Sequence, residues 1–149
     1  VQNVYINGQL MNEGTINSAY AGIVHKVPVG LIIGDSGLER QMKGEGMMPW
    51  PEFVCTKQSL SRFSAVYKPK KLLKEETIAA VKKALDPQLY TLQAPYHCRM
   101  DLTNAAKCDH VQQMPGIHRT AGRTVEFEST SFTEIYDAIH GIASMSRLG

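Results

Sequence analysis

Glu13 is the first residue whose type and position could support chemistry, because it stands where an N-terminal hairpin is predicted to turn into a helix. A carboxylate at a helix N-terminus is stabilised by the exposed N–H groups and by the helix dipole, by about 0.3–1 kcal/mol, which explains most such residues. The same position would also suit a metal ligand or a general base. Spacing alone leaves both interpretations of Glu13 open.

Asp35 and Lys57 each follow a segment predicted to be a strand. Ligands of α/β sheets bind beyond the carboxyl ends of strands, which makes these two positions candidates for a binding site. The sequence around Asp35, Gly-Asp-Ser-Gly, has neither a P-loop nor a Gly-x-Gly-x-x-Gly pattern, so a plain turn beside a helix N-cap is the favoured interpretation. Lys57, with serines and Arg62 after it, could bind a carboxylate or an oxyanion, or could be a solvated side chain.

Histidines and cysteines offer a structural zinc site as a minority alternative, because His97-Cys98 and Cys108-Asp109-His110 place four soft ligands within 14 positions. Their spacing is unsuitable. Neighbouring residues of a strand point to opposite faces, and neither pair has the usual spacer of two to four residues. A cysteine nucleophile is also disfavoured, because Cys98 and Cys55 lie in predicted strands and buried thiols have raised pKa values.

Composition limits the classes of function. The chain has 149 residues, 43% apolar and 20% charged, which fits one globular α/β unit over residues 1–149. A net charge of +2 is too small to indicate a nucleic-acid surface. The longest apolar run, residues 27–33, is far shorter than the roughly 20 residues that span a bilayer, and no membrane partner is expected. Three cysteines, an odd and sparse set, favour a reducing, cytoplasmic location.

Periodicity predicts the elements of the first half of the chain. Asn7-Gly8 between two short apolar runs predicts a hairpin, and apolar residues at helical spacing predict a helix over residues 16–24. A continuous apolar run over residues 29–33 predicts a central strand. Further predictions are a helix over residues 38–43 begun by a capping box of Ser36 and Glu39, a short strand over 53–56, a polar connection over 57–62, and a helix over 73–85.

Periodicity also predicts the elements of the second half of the chain. Alternating polarity predicts strands over residues 97–102 and 124–128, and Thr103 could cap a helix over 104–111. Ser131 and Glu134 form a capping box before a long amphipathic helix. Strands that alternate with helices predict a three-layer α/β fold, with a mixed or mostly parallel sheet and helices on both faces.

Several segments of the chain resemble the second half of the zinc-dependent D-aminopeptidases of the DppA type. The likeness covers nearly all of the chain and is most specific in the first 35 residues. The segments that carry it are Tyr5-Ile6-Asn7-Gly8, Asn12-Glu13-Gly14-Thr15-Ile16-Asn17, Ala21-Gly22, Val27-Pro28-Val29, Gly34-Asp35, the Val-x-x-Lys-x-x-x-Ser-Arg pattern of Val54 to Arg62, Met114-Pro115-Gly116 and Thr124-Val125-Glu126-Phe127.

The resemblance implies that Glu13 is a ligand of a binuclear zinc centre, because one glutamate of that centre comes from the hairpin-to-helix turn in the family. It further implies hydrolysis of short peptides with N-terminal D-amino acids, by a metal-activated water, in a ring-shaped homo-oligomer for which a decamer is one arrangement. Asn17, Asp35 and Lys57 would lie near the metals or bind substrate.

Two departures from the family pattern shape the hypothesis. The family's turn usually reads Gly-Glu-x-Gly-x-Asn, whereas Asn12 precedes Glu13 here and Thr15 stands where the second glycine is expected; glycine permits dihedrals that Thr15 resists. The family's other metal ligands, an Asp-x-Glu and histidines, have no counterpart in this chain.

The resulting hypothesis is that these residues are the C-terminal portion of a longer D-aminopeptidase-like chain. The absence of an initiator Met before a strand-like N-terminal segment led to the same expectation. The N-terminal half would be the partner that completes the metal site, so these residues alone are expected to be inactive. The alternative is a non-catalytic α/β assembly or binding module of the same fold.

Overall fold

The computed structural model of the protein describes residues 1–45 and 47–145, which form two compact units. Unit 1 consists of Val1–His25 and the segment from Thr91 onward, and unit 2 is Lys26–Tyr90. The sequence predicted one α/β unit over residues 1–149, and this stays a prediction. In chain order, the elements are β1 (Asn3–Ile6), β2 (Gln9–Met11), α1 (Glu13–His25), β3 (Leu31–Asp35), α2 (Ser36–Glu39), a π-helical turn (Arg40–Gly44), β4 (Glu52–Ser61), β5 (Ser64–Tyr67), α3 (Lys70–Lys83), β6 (Tyr96–Asp101), α4 (Ala105–Val111), β7 (His118–Ala121), β8 (Thr124–Ser129) and α5 (Phe132–Met145).

Unit 1 contains a five-stranded antiparallel sheet in the order β2-β1-β6-β8-β7. The predicted hairpin is confirmed, because Asn7 and Gly8 both adopt positive φ, at 51° and 79°, in the turn between β1 and β2. Strand β1 also pairs with β6, so that Val4 lies opposite both Met11 and Met100.

The strands of unit 1 alternate between a buried apolar face and a polar face. On β6, Cys98 and Met100 are buried whereas His97 and Arg99 are exposed, as the alternation predicted. Helices α1, α4 and α5 supply the rest of this core, and α5 contacts both β6 and β8. The stripe of α5 is confirmed by its buried residues Phe132, Ile135, Ile139 and Ile142.

Unit 2 contains a three-stranded mixed sheet in which β4 lies between β3, parallel to it, and β5, antiparallel to it. Residues 29–33 were expected to form a central strand, but within residues 1–45 and 47–145 β3 pairs only with β4, and Ile33 is half exposed. A continuous apolar run does not distinguish an edge strand from a central one. Helix α3 packs against β4, and Lys68 forms an ion pair with Glu76 of α3.

Other differences concern element ends. Strand β4 continues through residues 57–61, where a polar connection was predicted, and then turns back into β5. Asn104, rather than Thr103, caps α4, because its Oδ1 accepts a hydrogen bond from the Lys107 N–H at 3.0 Å. Strand β7 was not predicted, because its four residues show no apolar alternation.

The α/β class predicted from the sequence is confirmed, and the mixed sheet of that prediction is the sheet of unit 2. The sheet of unit 1 is antiparallel throughout, because β1, β6, β8 and β7 are neighbours that run in alternating directions. In the part of the chain that the structure describes, no helix is long and apolar enough to cross a membrane.

Candidate functional site

Glu13 is the first residue of α1, and its side chain is exposed. Asn12 caps this helix: its Oδ1 accepts a hydrogen bond from the Thr15 N–H at 2.9 Å, and Thr15 Oγ1 accepts one from the Asn12 N–H at 2.9 Å. This reciprocal cap fixes the turn, so the position of Glu13 is set by its neighbours. Among the described residues, nothing forms an ion pair with the Glu13 carboxylate.

The helix cap also explains the departure at Thr15. Its backbone does not have positive φ, and its side chain is completely buried, with Oγ1 bonded to the backbone of Asn12. Thr15 therefore needs no conformation that only glycine adopts. The Thr15 hydroxyl takes part in the cap instead.

Asn17 lies one helical turn after Glu13, so the two side chains project from the same face of α1. The Tyr136 hydroxyl of α5 donates a hydrogen bond to Asn17 Oδ1 at 3.0 Å. The Tyr136 ring stacks on Tyr20, with 4.1 Å between ring centroids, and lies 4.4 Å from the ring of His140. Tyr136 therefore holds the Asn17 carbonyl oxygen, and Asn17 is exposed on the helix face that it shares with Glu13.

Asp35 ends β3 and caps α2. Its Oδ1 accepts a hydrogen bond from the Leu38 N–H at 2.9 Å, and its Oδ2 accepts one from Ser59 Oγ at 2.8 Å. These bonds, first the one from Leu38 and then the one from Ser59, lower the pKa of the carboxyl below its ordinary value. The favoured interpretation as a capped turn is confirmed, although the N-cap is Asp35 and not Ser36.

Lys57 lies in the middle of β4, directly between Asp35 of β3 and Tyr67 of β5. Residues opposite each other in a sheet point to the same face, so these three side chains form one row. The Lys57 ammonium lies 5.6 Å from the centre of the Tyr67 ring. The row borders a groove of about 600 Å³ that also contains Ser59, Ser61, Arg62, Phe63, Ser64 and Ala65.

The residues of the alternative structural zinc site do not form a metal site. Cys98 and Cys108 are buried, and burial raises the pKa of the Cys98 thiol to about 12. His97 is exposed, and its Nδ1 lies 3.0 Å from a carboxylate oxygen of Glu128. All three cysteines are free thiols. No group of three or more histidine, cysteine or acidic residues within residues 1–45 and 47–145 could hold a metal ion.

The four predicted site residues thus form two pairs. Glu13 and Asn17 share a helix face in unit 1, and Asp35 and Lys57 share a row in unit 2. Sequence reasoning did not assign roles to Tyr136, which holds Asn17, or to Tyr67, which lies beside Lys57. The spacing of Lys57, Ser59 and Ser61 at every second position could have indicated a shared strand face.

The molecule is therefore an α/β protein with an exposed carboxylate at a capped hairpin-to-helix turn. The family model for D-aminopeptidase matches residues 1–141, and the chain belongs to this family. The resemblance noted in the sequence is confirmed. A search of curated protein sequences found no match to the chain.

Among solved structures, the chain is similar to the Zn-dependent D-aminopeptidase DppA from Bacillus subtilis, described as a self-compartmentalizing protease. The TM-score is 0.87 and the sequence identity is 24%. The match covers 99% of this chain and 54% of that chain, so the present chain spans about half the length of DppA. At this identity, the match establishes the fold.

Proposed function

We propose that the chain supplies part of the active site of a zinc-dependent D-aminopeptidase, which hydrolyses short peptides with N-terminal D-amino acids. The observation that carries the proposal is the family match over residues 1–141, together with the exposed carboxylate of Glu13 at the turn where the family resemblance places a metal ligand. The fold shared with DppA supports it.

Glu13 would contribute one oxygen ligand to the metal centre, which the family resemblance makes binuclear. A carboxylate oxygen is a suitable zinc ligand, and the Asn12–Thr15 cap holds the first turn of α1 in place behind it. The described residues contain no metal-binding group of their own, so the remaining ligands would come from polypeptide outside these 149 residues, the N-terminal half of the enzyme. When bound, zinc lowers the pKa of a coordinated water and polarises the scissile carbonyl.

The other site residues would bind the peptide. The amide N–H groups of Asn17, whose carbonyl is held by Tyr136, would donate to a substrate carbonyl near Glu13. Lys57 would bind a negatively charged group of the substrate, and Asp35 would hold Ser59 and the start of α2 next to Lys57. The described thiols have no part in this chemistry.

The intact enzyme would be a homo-oligomer, a ring according to the family resemblance. DppA is described as self-compartmentalizing, which supports an assembly of this kind. A cytoplasmic location fits the three free thiols, since disulfides are rare in reducing compartments.

The test replaces Glu13 by glutamine in the full-length protein. Losing one anionic ligand is expected to weaken zinc binding at least tenfold and to reduce hydrolysis of D-Ala-D-Ala in proportion, because glutamine is a poor zinc ligand. Zinc content is measured by mass spectrometry and hydrolysis by release of D-alanine. Glu75→Gln, which neutralises an exposed glutamate of α3, is the matched control.

The same experiment addresses the alternative of a non-catalytic module. Unchanged zinc occupancy and activity in Glu13→Gln would exclude the proposed ligand and favour the module. The 149-residue chain alone is expected neither to retain zinc nor to hydrolyse D-Ala-D-Ala; metal-dependent activity of this chain alone would contradict a site shared with other polypeptide.

A further inference from the structure

The groove of unit 2 collects hydrogen-bond donors on one face of the sheet. Lys57 and Ser59 point to this face from β4, and Arg62 lies at the tip of the β4–β5 hairpin. Phe63 and Tyr67 add apolar surface, since their side chains are 90% and 72% exposed. A volume of about 600 Å³ is in the range of small-molecule sites.

Neither cation of the groove forms a direct ion pair among the described residues, although Lys57 acts electrostatically on the Asp35 carboxylate beside it. Lys57 and Arg62 each lie against an aromatic ring, Tyr67 at 5.6 Å and Phe63 at 5.3 Å. The ion pairs of the described residues use other bases, namely Arg40, Lys68, His97, Arg99 and Arg119. The groove lining contains Lys57 and Arg62 against the single carboxylate of Asp35, so one net positive charge remains that a bound anion could neutralise.

Asp35 reduces this positive charge without forming a direct ion pair with Lys57. Both of its carboxylate oxygens accept hydrogen bonds from within unit 2, from the Leu38 N–H and from Ser59 Oγ. The second bond directs the Ser59 hydroxyl proton to Asp35, so this proton is not available to a ligand. Ser61 and Ser64 hydrogen-bond each other through their hydroxyls at 2.8 Å, which leaves one hydroxyl proton of the pair for a ligand.

The larger groove of unit 1, on the polar face of its sheet, lacks this property. It has a volume of about 680 Å³, but its lining contains two carboxylates, Glu126 and Glu128, against the one arginine, Arg99, which itself pairs with Asp101. Thr120 Oγ1 also donates to Glu126 at 3.2 Å. The two grooves are similar in size, so the net positive charge of its lining is what distinguishes the groove of unit 2.

We propose that the groove of unit 2 is a carboxylate-binding site in which Lys57 and Arg62 bind the C-terminal carboxylate of a short peptide substrate. Tyr67 and Phe63 contact the side chain of its last residue. The inference rests on the proposed function and names the group of the substrate that unit 2 recognises. It predicts a preference for peptides with a free C-terminal carboxylate over peptide amides.

The experiment compares N-acetyl-D-alanine with N-acetyl-D-alaninamide by calorimetry on the full-length protein. Neither probe has a free amino terminus, so an aminopeptidase does not hydrolyse them, and they differ only in the C-terminal group, a carboxylate in one and a neutral amide in the other. The acid is expected to bind at least tenfold more tightly than the amide, the effect of a hydrogen bond between charged groups. This comparison uses the wild-type protein and does not depend on how a variant folds.

Substitutions then test whether Lys57 and Arg62 are the groups that bind the carboxylate. Lys57→Gln and Arg62→Gln are each expected to weaken binding of the acid about tenfold and to leave binding of the amide unchanged. Lys82→Gln removes a positive charge from α3 of the same unit and serves as the matched control, with no expected effect. Inorganic phosphate is added as a competitor.

Three outcomes would overturn the inference: equal affinity for acid and amide, equal losses in Lys57→Gln and Lys82→Gln, or displacement by phosphate at lower concentration than by the acid. The proposed function is tested separately by hydrolysis of D-Ala-D-Ala and of its C-terminal amide. If both are hydrolysed with equal KM, the function stands and the carboxylate site fails. If the acid binds more tightly than the amide but no metal-dependent hydrolysis is found, the carboxylate site stands and the proposed function fails.

Discussion

Replacing Asp35 by alanine is expected to destabilise unit 2, because this one carboxylate joins three elements. It ends β3, caps α2 through the Leu38 N–H, and accepts a hydrogen bond from Ser59 of β4. Alanine at this position leaves the Leu38 N–H without its cap and the Ser59 hydroxyl without its acceptor.

The magnitude follows from these two bonds. Loss of an N-cap costs about 1 kcal/mol, and loss of a solvent-accessible hydrogen bond to a charged group costs about 0.5–1 kcal/mol. The Asp35→Ala variant should therefore lose about 1.5–2 kcal/mol of unfolding free energy. For a urea dependence of about 1.5–2 kcal/mol per molar, the unfolding midpoint shifts down by about 1 M.

The loss should also depend on pH. The hydrogen bonds lower the pKa of Asp35 in the folded protein, so the folded state favours the ionised form. This contribution is fully present above the unfolded pKa of about 3.9 and disappears as the pH falls through the lower folded value. The stability difference between wild type and Asp35→Ala is therefore expected to be largest near neutral pH and to shrink in acid.

Fluorescence of Trp50, the single tryptophan, provides the assay because it packs on Tyr90 within unit 2, with 5.5 Å between ring centroids. Urea unfolding is followed at pH 7 and at pH 3. Asp86→Ala, at an exposed aspartate of the same unit, is the matched control, with an expected change below about 0.5 kcal/mol. Equal losses in the two variants, or a difference that does not vary with pH, would refute this reasoning.

Two further predictions concern unit 1. Thr15→Val keeps the shape of the buried side chain but removes the hydroxyl that bonds the Asn12 backbone, so it should lower the free energy of unfolding in urea by about 1–2 kcal/mol. The control is Thr77→Val, on the partly exposed face of α3, which should lower it by less. Equal losses in the two variants would contradict the role of the cap. Cys98 should resist a thiol reagent at pH 8 in the native protein, because burial raises its pKa to about 12. Half-buried Cys55 should react first. Equal labelling rates of the two thiols before urea is added would argue against the burial of Cys98.

The elements that the sequence predicted correctly are those whose signal is local. Asn7-Gly8 determines the first hairpin because both residues tolerate positive φ, and the apolar stripe of α5 specifies its buried face. The half-buried strand β6 followed from alternation alone. None of these features depends on which strands become neighbours.

The elements that were missed depend on pairing. The segment from Lys57 to Ser61 is polar and looks like a connection, yet it is a strand because β3 and β5 flank part of it. The antiparallel sheet of unit 1 brings β1 next to β6, about 95 positions later in the chain, and no local pattern encodes that partner. Tertiary pairing overrides local preference at these sites.

The candidate site likewise has features that local spacing predicts and features that depend on tertiary contacts. Glu13 and Asn17 could be placed on one helix face from their spacing, and the cap by Asn12 explains why that spacing is realised. The contact of Tyr136 with Asn17 joins two helices and could not be predicted from either. The groove around Lys57 likewise appears only when three strands align.

The insertion of unit 2 between the two segments of unit 1 has a consequence during synthesis on the ribosome. Residues 26–90 are contiguous, and all strands of their sheet have emerged once Tyr67 is outside the exit tunnel. The N-terminal hairpin, in contrast, must wait for β6, at Tyr96–Asp101, before its inner strand gains a second neighbour. Residues 26–90 should therefore become ordered before residues 1–25, whose inner strand stays unpaired on one side until β6 has emerged.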